Sequence, residues 1–163
     1  TYLEQKNSAK ERIVESLFVA AGIGQVIANT ASISGAEGGC QAEIGSASSM
    51  AAGAITYLEG GTNEQIANAA ALAMKNMLGL TCDPVAGLVE VPCIKRNVSG
   101  AVNAIIASQM TMAGIKSAIP ADEVFESMGR IGSLLPSCLR ETSGDGLATT
   151  PTAQAVVEKI RGE

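Results

Sequence analysis

The chain has 163 residues, with 26 Ala and 18 Gly but only four aromatic side chains and neither His nor Trp. It is 47% hydrophobic and 17% charged, with a net charge of -5. That balance excludes a disordered chain and offers no basic surface for nucleic acid. So few aromatics argue against a β-sandwich or barrel, whereas abundant Ala favours helices that approach closely. Without His, this chain alone builds no Ser-His-Asp triad, no Cys-His dyad and no His-ligated zinc site.

Periodicity predicts a first helix over residues 8–31. Ser8 is its N-cap and Glu11 completes a capping box. Ile13, Leu17, Ala20, Ala21, Gly24, Ala28 and Ala31 share one stripe, and Gly22 and Gly24 admit a close neighbour. Gln25 and Asn29 interrupt the apolar run before the roughly 20 residues of a membrane span, so no membrane is expected. The polar start carries no signal-peptide pattern and no initiator Met, which suggests a portion of a longer protein.

Three Gly in residues 33–39 break the helix, and 41–59 resume one that Gly60-Gly61 ends. Thr62 or Asn63 caps a helix at 64–79 with Ile66, Ala69, Ala70, Ala73, Met74 and Met77 on its buried face. Residues 80–97 read as irregular, with Pro84 and Pro92 as breakers, before a helix at 98–113. Pro120 opens a helix at 121–138 with Asp122 and Glu123 in its first turn. A loop at 141–152 and a short helix at 153–161 follow. The expectation is an all-α single domain of six or seven small-residue-rich helices. Met74, Met77, Met110, Met112 and Met128 are core filler in it.

The four cysteines, at 40, 82, 93 and 138, contain no C-x-x-C spacing. One reading makes all four small buried hydrophobes in a reduced, cytoplasmic protein. Local surroundings separate them. Cys40 follows glycines whose backbone N–H groups suit a thiolate. Asp83-Pro84 reads as an N-cap and N1 pair, aiming a positive helix end at Cys82. Cys93 follows Pro92 in the same irregular segment. Cys138 lies beside Leu134, Leu135 and Leu139 and reads as core. Three loop thiols without His suggest a metal held by three thiolates. Zinc would want a fourth protein ligand. An iron–sulfur cube would leave one iron open as a Lewis acid.

The runs SGAEGGCQAEIGSASSMAAG (34–53), CDPVAGLVEVPCIKRN (82–97) and RETSGDGLATTPT (140–152) resemble the iron–sulfur-dependent L-serine dehydratases, specifically the α chain of the two-chain form. The resemblance implies conversion of L-serine to pyruvate and ammonia on a [4Fe–4S] cluster, within amino-acid degradation and gluconeogenesis. It places the cluster ligands on Cys40, Cys82 and Cys93, and implies a β chain and a homo-oligomer as assembly. Ser48 stands where many members have a further cysteine, so it is no ligand. No segment matches the family's upstream glycine-rich PTAGS-type run, so residues 1–163 read as the C-terminal part of the catalytic domain. The end, EKIRGE, lacks the tail cysteine with which single-chain members cap the open iron.

Glu37 and Lys95 are the leading candidates for catalysis, with Glu43, Asp83 and Glu90 as further possible bases. Arg96 and Asn97 are candidates for substrate binding, although Asn97 also suits the cap of a helix starting at Val98. Residues 141–146 are either a loop touching the site or a connector. Three further expectations follow: the chain alone is inactive, it exposes apolar surface, and the loops at 33–40 and 80–97 depend on the cluster for order. The rival functions are a related deaminase for L-threonine, a desulfidase for L-cysteine, and a non-catalytic helical subunit.

Overall fold

The computed structural model describes residues 9–162. Among them the fold is all-α, as the composition predicts. Seven α-helices follow one another: α1 Lys10–Thr30, α2 Gly35–Gly38, α3 Ser46–Leu58, α4 Asn63–Lys75, α5 Cys93–Met112, α6 Ala121–Leu134 and α7 Pro151–Arg161. A π-helical turn, Gln41–Gly45, runs directly into α3. No strand occurs among the described residues, where Cys82 and Arg140 form an isolated parallel bridge.

Helix α3 is the central post, with α1, α4 and α5 packed around it. It buries Ser46, Ser48, Ser49, Ala52, Gly53 and Thr56, none larger than threonine. Neighbouring backbones therefore come close enough for its hydroxyls to bond across the interfaces. Ser49 Oγ donates to Ala70 O at 3.0 Å, and Ser48 Oγ to Gly100 O at 2.8 Å. Asn103 Nδ2 donates to Ser48 Oγ at 2.8 Å and to Ala73 O at 2.9 Å. Helix α4 opens with a capping box between Thr62 and Gln65 and buries an unbroken run from Ala69 to Met74. Larger side chains gather on one flank, where Ile27, Met74, Val124, Phe125 and Met128 form the apolar core.

Several expectations are corrected. The Ser8 cap lies outside the described residues. Helix α1 buries Ser16 and Ile27, whereas Leu17 is 62% and Phe18 75% exposed. Ile23 sets this rotation: a Cβ on Gly53 would fall 2.2 Å from Ile23 Cδ1, so the glycine receives that side chain. Gly24 abuts Met50 as expected, while Gly22 faces open space. Gln25 and Asn29 do not interrupt the apolar run as supposed. By length and composition alone α1 could cross a membrane, with a mean hydropathy of 1.4. The two amides carry no charge and bond to each other at 3.0 Å.

Proline positions shift three boundaries. Helix α6 stops at Leu134 because Leu135, before Pro136, is extended. Helix α5 starts at Cys93, five residues earlier than expected, directly after Pro92. Helix α7 starts at Pro151, with Thr150 capping it. The expected apolar surface is present: Ile94, Val98, Val102 and Ile106 form a row along α5, each at least 50% exposed.

Helix α6 meets α2 backbone to backbone where Gly132 faces Gly38. A Cβ on Gly132 would lie 2.9 Å from Gly38 Cα, and backbone cannot rotate aside as a side chain does. Alanine gains about 1 kcal/mol in helix propensity, but overpacking costs about 1–3 kcal/mol. Gly132→Ala is therefore expected to lower the unfolding free energy by up to about 2 kcal/mol in urea titrations. Higher stability would contradict this tight contact.

Candidate metal centre

Three segments converge beside the α3–α5 end of the bundle. Cys40 follows Gly39, whose φ of 76° suits glycine; a Cβ there would also meet Leu80 O at 2.9 Å. The next residue, Gln41, is a fully buried staple. Its backbone N–H donates to Leu80 O at 3.0 Å, its Nε2 donates to Met128 O at 3.0 Å, and its Oε1 accepts Gly79 N–H at 2.9 Å. Cys82 donates its N–H to Leu139 O and accepts Glu141 N–H on its carbonyl, both at 2.8 Å. Cys93 is the first residue of α5. The three Sγ atoms lie within 4.8 Å of one another, with Cys40 and Cys82 buried and Cys93 half-buried.

These hydrogen bonds correct the idea that only a cluster orders the loops, since the protein's own backbone and Gln41 bring the sulfurs together. Nor does Asp83-Pro84 open a helix: Pro84 is extended and a single 3-10 turn, Val85–Gly87, follows. The positive helix end at the site belongs to α5 instead, and it favours the negative charge that thiolates carry. Cys138 is not a core residue. It sits half-buried in the 3-10 turn Ser137–Leu139, with its Sγ 4.0 Å from Asp145 Oδ2. Pro136, by ending α6 early, puts it there.

Burial pushes the Cys40 thiol pKa up, opposed by hydrogen bonds from Cys82 and Arg96. Burial raises that of Cys82 strongly, reinforced by Cys40 and by the charge of Glu43. Burial disfavours the Arg96 charge, but the bond and charge of Asp83, aided by Cys40, outweigh it and raise its pKa.

A cavity of about 430 Å³ opens beside Cys82 and Cys93, walled also by Glu43, Ala47, Val89, Ile94, Asn97 and Glu141. A larger one of about 490 Å³, along α4 near Asn68, contains no cysteine. Of the candidate residues, Glu43 and Asn97 line the cysteine cavity. Asn97 lies inside α5 and so caps no helix. Glu37 lines a separate cavity, where its Oε2 accepts from Ser32 Oγ at 2.5 Å. Lys95 and Glu90 are exposed outside the cysteine cavity.

Arg96 is held by Asp83 at 2.8 Å. The 141–146 loop is part of the site, because Glu141 lines the cavity and Ser143 Oγ donates to Pro84 O at 2.6 Å. Glu141 and Ser143 both have positive φ, as does Ala86 nearby, which marks a constrained rim. Sequence reasoning did not single out Glu141 or the Asp83–Arg96 pair. The i, i+4 row starting at Ile94 was the available signal that the helix begins just after Pro92.

The family model described as serine dehydratase alpha chain matches residues 1–148. The chain is 58% identical over 159 residues to a probable L-serine dehydratase, alpha chain, of Bacillus subtilis (strain 168), covering 98% of this chain and 53% of that protein. It is 48% identical to an L-serine dehydratase, alpha chain, of Peptoniphilus asaccharolyticus, covering 94% and 52%. It is 48% identical to the L-serine dehydratase TdcG of Escherichia coli (strain K12), covering 90% and 33%. The chain thus spans about half the length of the two alpha chains it matches here.

Burial and raised pKa keep the Cys40 and Cys82 thiols protonated and shielded at neutral pH, so thiolate-dependent alkylation is slow there. With iodoacetamide at pH 7.5 (a condition of about neutral pH), peptide mass spectrometry is expected to find Cys93 and Cys138 modified before Cys40 and Cys82. Equal rates at all four would contradict the buried placement.

Proposed function

The chain belongs to the serine dehydratase alpha-chain family, and we propose that it carries the cluster-binding half of an L-serine dehydratase. In this reading Cys40, Cys82 and Cys93 hold a [4Fe–4S] cluster. The observation that carries it is three sulfurs within 4.8 Å of one another, two of them in the wall of a cavity of about 430 Å³. The donor set fits the group: three soft thiolates with no imidazole or carboxylate joining them among the described residues. A closed zinc site would want a fourth donor. When bound, such a cluster supplies an iron that acts as a Lewis acid toward a substrate oxygen.

The chain's own residues do the rest. Dehydration of L-serine removes the α-proton and the hydroxyl, and the resulting aminoacrylate hydrolyses to pyruvate and ammonia. Of the five candidate bases, Glu43 alone lines the cavity, and it is the group assigned to take the α-proton. Asn97 offers an amide to the substrate carboxylate from the same wall. Val89 and Ile94 add apolar side chains to that wall. Two relatives are named alpha chains, which supports a separate β chain as partner. A homo-oligomer and a reducing, cytoplasmic setting for four free thiols complete the reading.

The test uses the whole alpha chain that contains these residues, produced with its β chain and reconstituted anaerobically with iron and sulfide. Cys40→Ser, Cys82→Ser or Cys93→Ser is expected to abolish the visible absorption of the cluster and pyruvate formation from L-serine. Cys138→Ser is expected to retain both. Glu43→Gln is expected to keep the absorption and lower kcat by about 10²–10⁴-fold. Loss of the cluster in Cys138→Ser with retention in Cys93→Ser would overturn the assignment, as would a wild-type complex that takes up no iron.

A further inference from the structure

Arg96 reaches from the first turn of α5 back across the sulfur trio. Its Nη1 donates to Thr81 O at 2.7 Å and to Asp83 Oδ1 at 2.8 Å, and it lies 3.9 Å from Cys40 Sγ. Asp83 is only 3% exposed, and its second oxygen, Oδ2, accepts Leu147 N–H at 2.8 Å. Gly146 makes room for that bond, because a Cβ there would sit 2.6 Å from Asp83 Oδ2. One ion pair thus touches α5, the Cys82 segment, Cys40 itself and the loop before α7.

A buried pair of this kind is weak evidence for stability, since apolar replacements are often as stable. What it supplies is placement. The guanidinium is fixed by a carboxylate and a carbonyl, and it is directed at one sulfur. It is also absent from the cavity wall, where the next residue, Asn97, is present.

Building on the reading above, we propose that Asp83 and Arg96 are positioning residues: Asp83 holds the Arg96 guanidinium so that its positive charge lies beside the Cys40 sulfur. This deepens the assignment of the cluster and gives Arg96 a duty toward a ligand sulfur instead of the substrate. A positive charge beside a ligand sulfur stabilises the more negative, reduced cluster, so it raises its potential. The same contacts hold the ligand loop in place, and loss of such outer partners lowers metal affinity by about 10–100-fold.

The experiment compares wild type, Arg96→Gln, Arg96→Lys and Asp83→Asn in the same whole alpha chain with its β chain, reconstituted anaerobically, with circular dichroism confirming the helical fold. Two readouts need no turnover: the rate of cluster loss to an iron chelator, and the cluster's reduction potential by redox titration with electron paramagnetic resonance. Arg96→Gln is expected to lose the cluster about 10–100-fold faster and to shift the potential negative. Arg96→Lys, which keeps the charge without the fork, is expected to recover most of the potential and little of the retention. Asp83→Asn is expected to speed cluster loss. An Arg96→Gln cluster at the wild-type potential would overturn the proposal even if it were lost faster, since a purely structural role moves retention alone. A wild-type chain that binds no cluster would overturn the functional reading and this inference together. If Arg96→Gln fails to fold, an Arg96→Lys potential shifted as far from wild type as that of Asp83→Asn would also refute it.

Discussion

Close backbone approach around α3 is the constraint on which the rest of the structure depends. Because α3 buries nothing larger than threonine, α4 and α5 come near enough for serine hydroxyls to reach their carbonyls. Each such bond satisfies a carbonyl that already serves its own helix, so it orients as much as it attracts. Asn103 shows the effect: one side-chain amide bonds α3 and α4 from α5 at the same time. The start of α5 is thereby fixed against the π-helical turn that follows Cys40. A bundle of larger side chains would separate the same helices and leave the sulfurs apart.

The site inherits this rigidity but is assembled from non-helical pieces. Gln41 ties the Cys40 loop to two other segments, to residues 79–80 through its backbone N–H and Oε1 and to Met128 through Nε2. Around it, burial keeps the thiols of Cys40 and Cys82 neutral while Arg96 remains charged beside them. The protein thus holds a cation ready for charge that its own thiols do not yet carry. That arrangement suits a centre that becomes anionic only when a metal displaces the thiol protons.

Much of this was legible in the sequence, and the failures have physical causes. The all-α fold, the Thr62 cap and the buried face of α4 follow from composition and local pattern. The grouping of Cys40, Cys82 and Cys93 apart from Cys138 also emerged from local surroundings, and the structure brings the same three together. Cys138 itself was misplaced because Pro136 acts on the residue before it and cuts α6 short. The rotation of α1 depends on Gly53 receiving Ile23, a contact between different helices that no periodicity encodes. The Asp83–Arg96 pair joins residues thirteen apart across the turn at 85–87. Glu141 follows Arg140, which bridges Cys82, and donates its own N–H to the Cys82 carbonyl at the cavity.

That bridge sets an order of events during synthesis. Cys40, Cys82 and Cys93 have all left the ribosome before Leu139, Glu141 and Leu147 are made, yet those later residues hold the Cys82 backbone and the Asp83 carboxylate. At about 5–20 residues per second, the thiols wait several seconds without the scaffold that gathers them. A nascent chain at that stage offers three separate thiols to any passing metal ion, not a shaped site. A shaped site for a metal therefore exists only after residues 139–147 have docked.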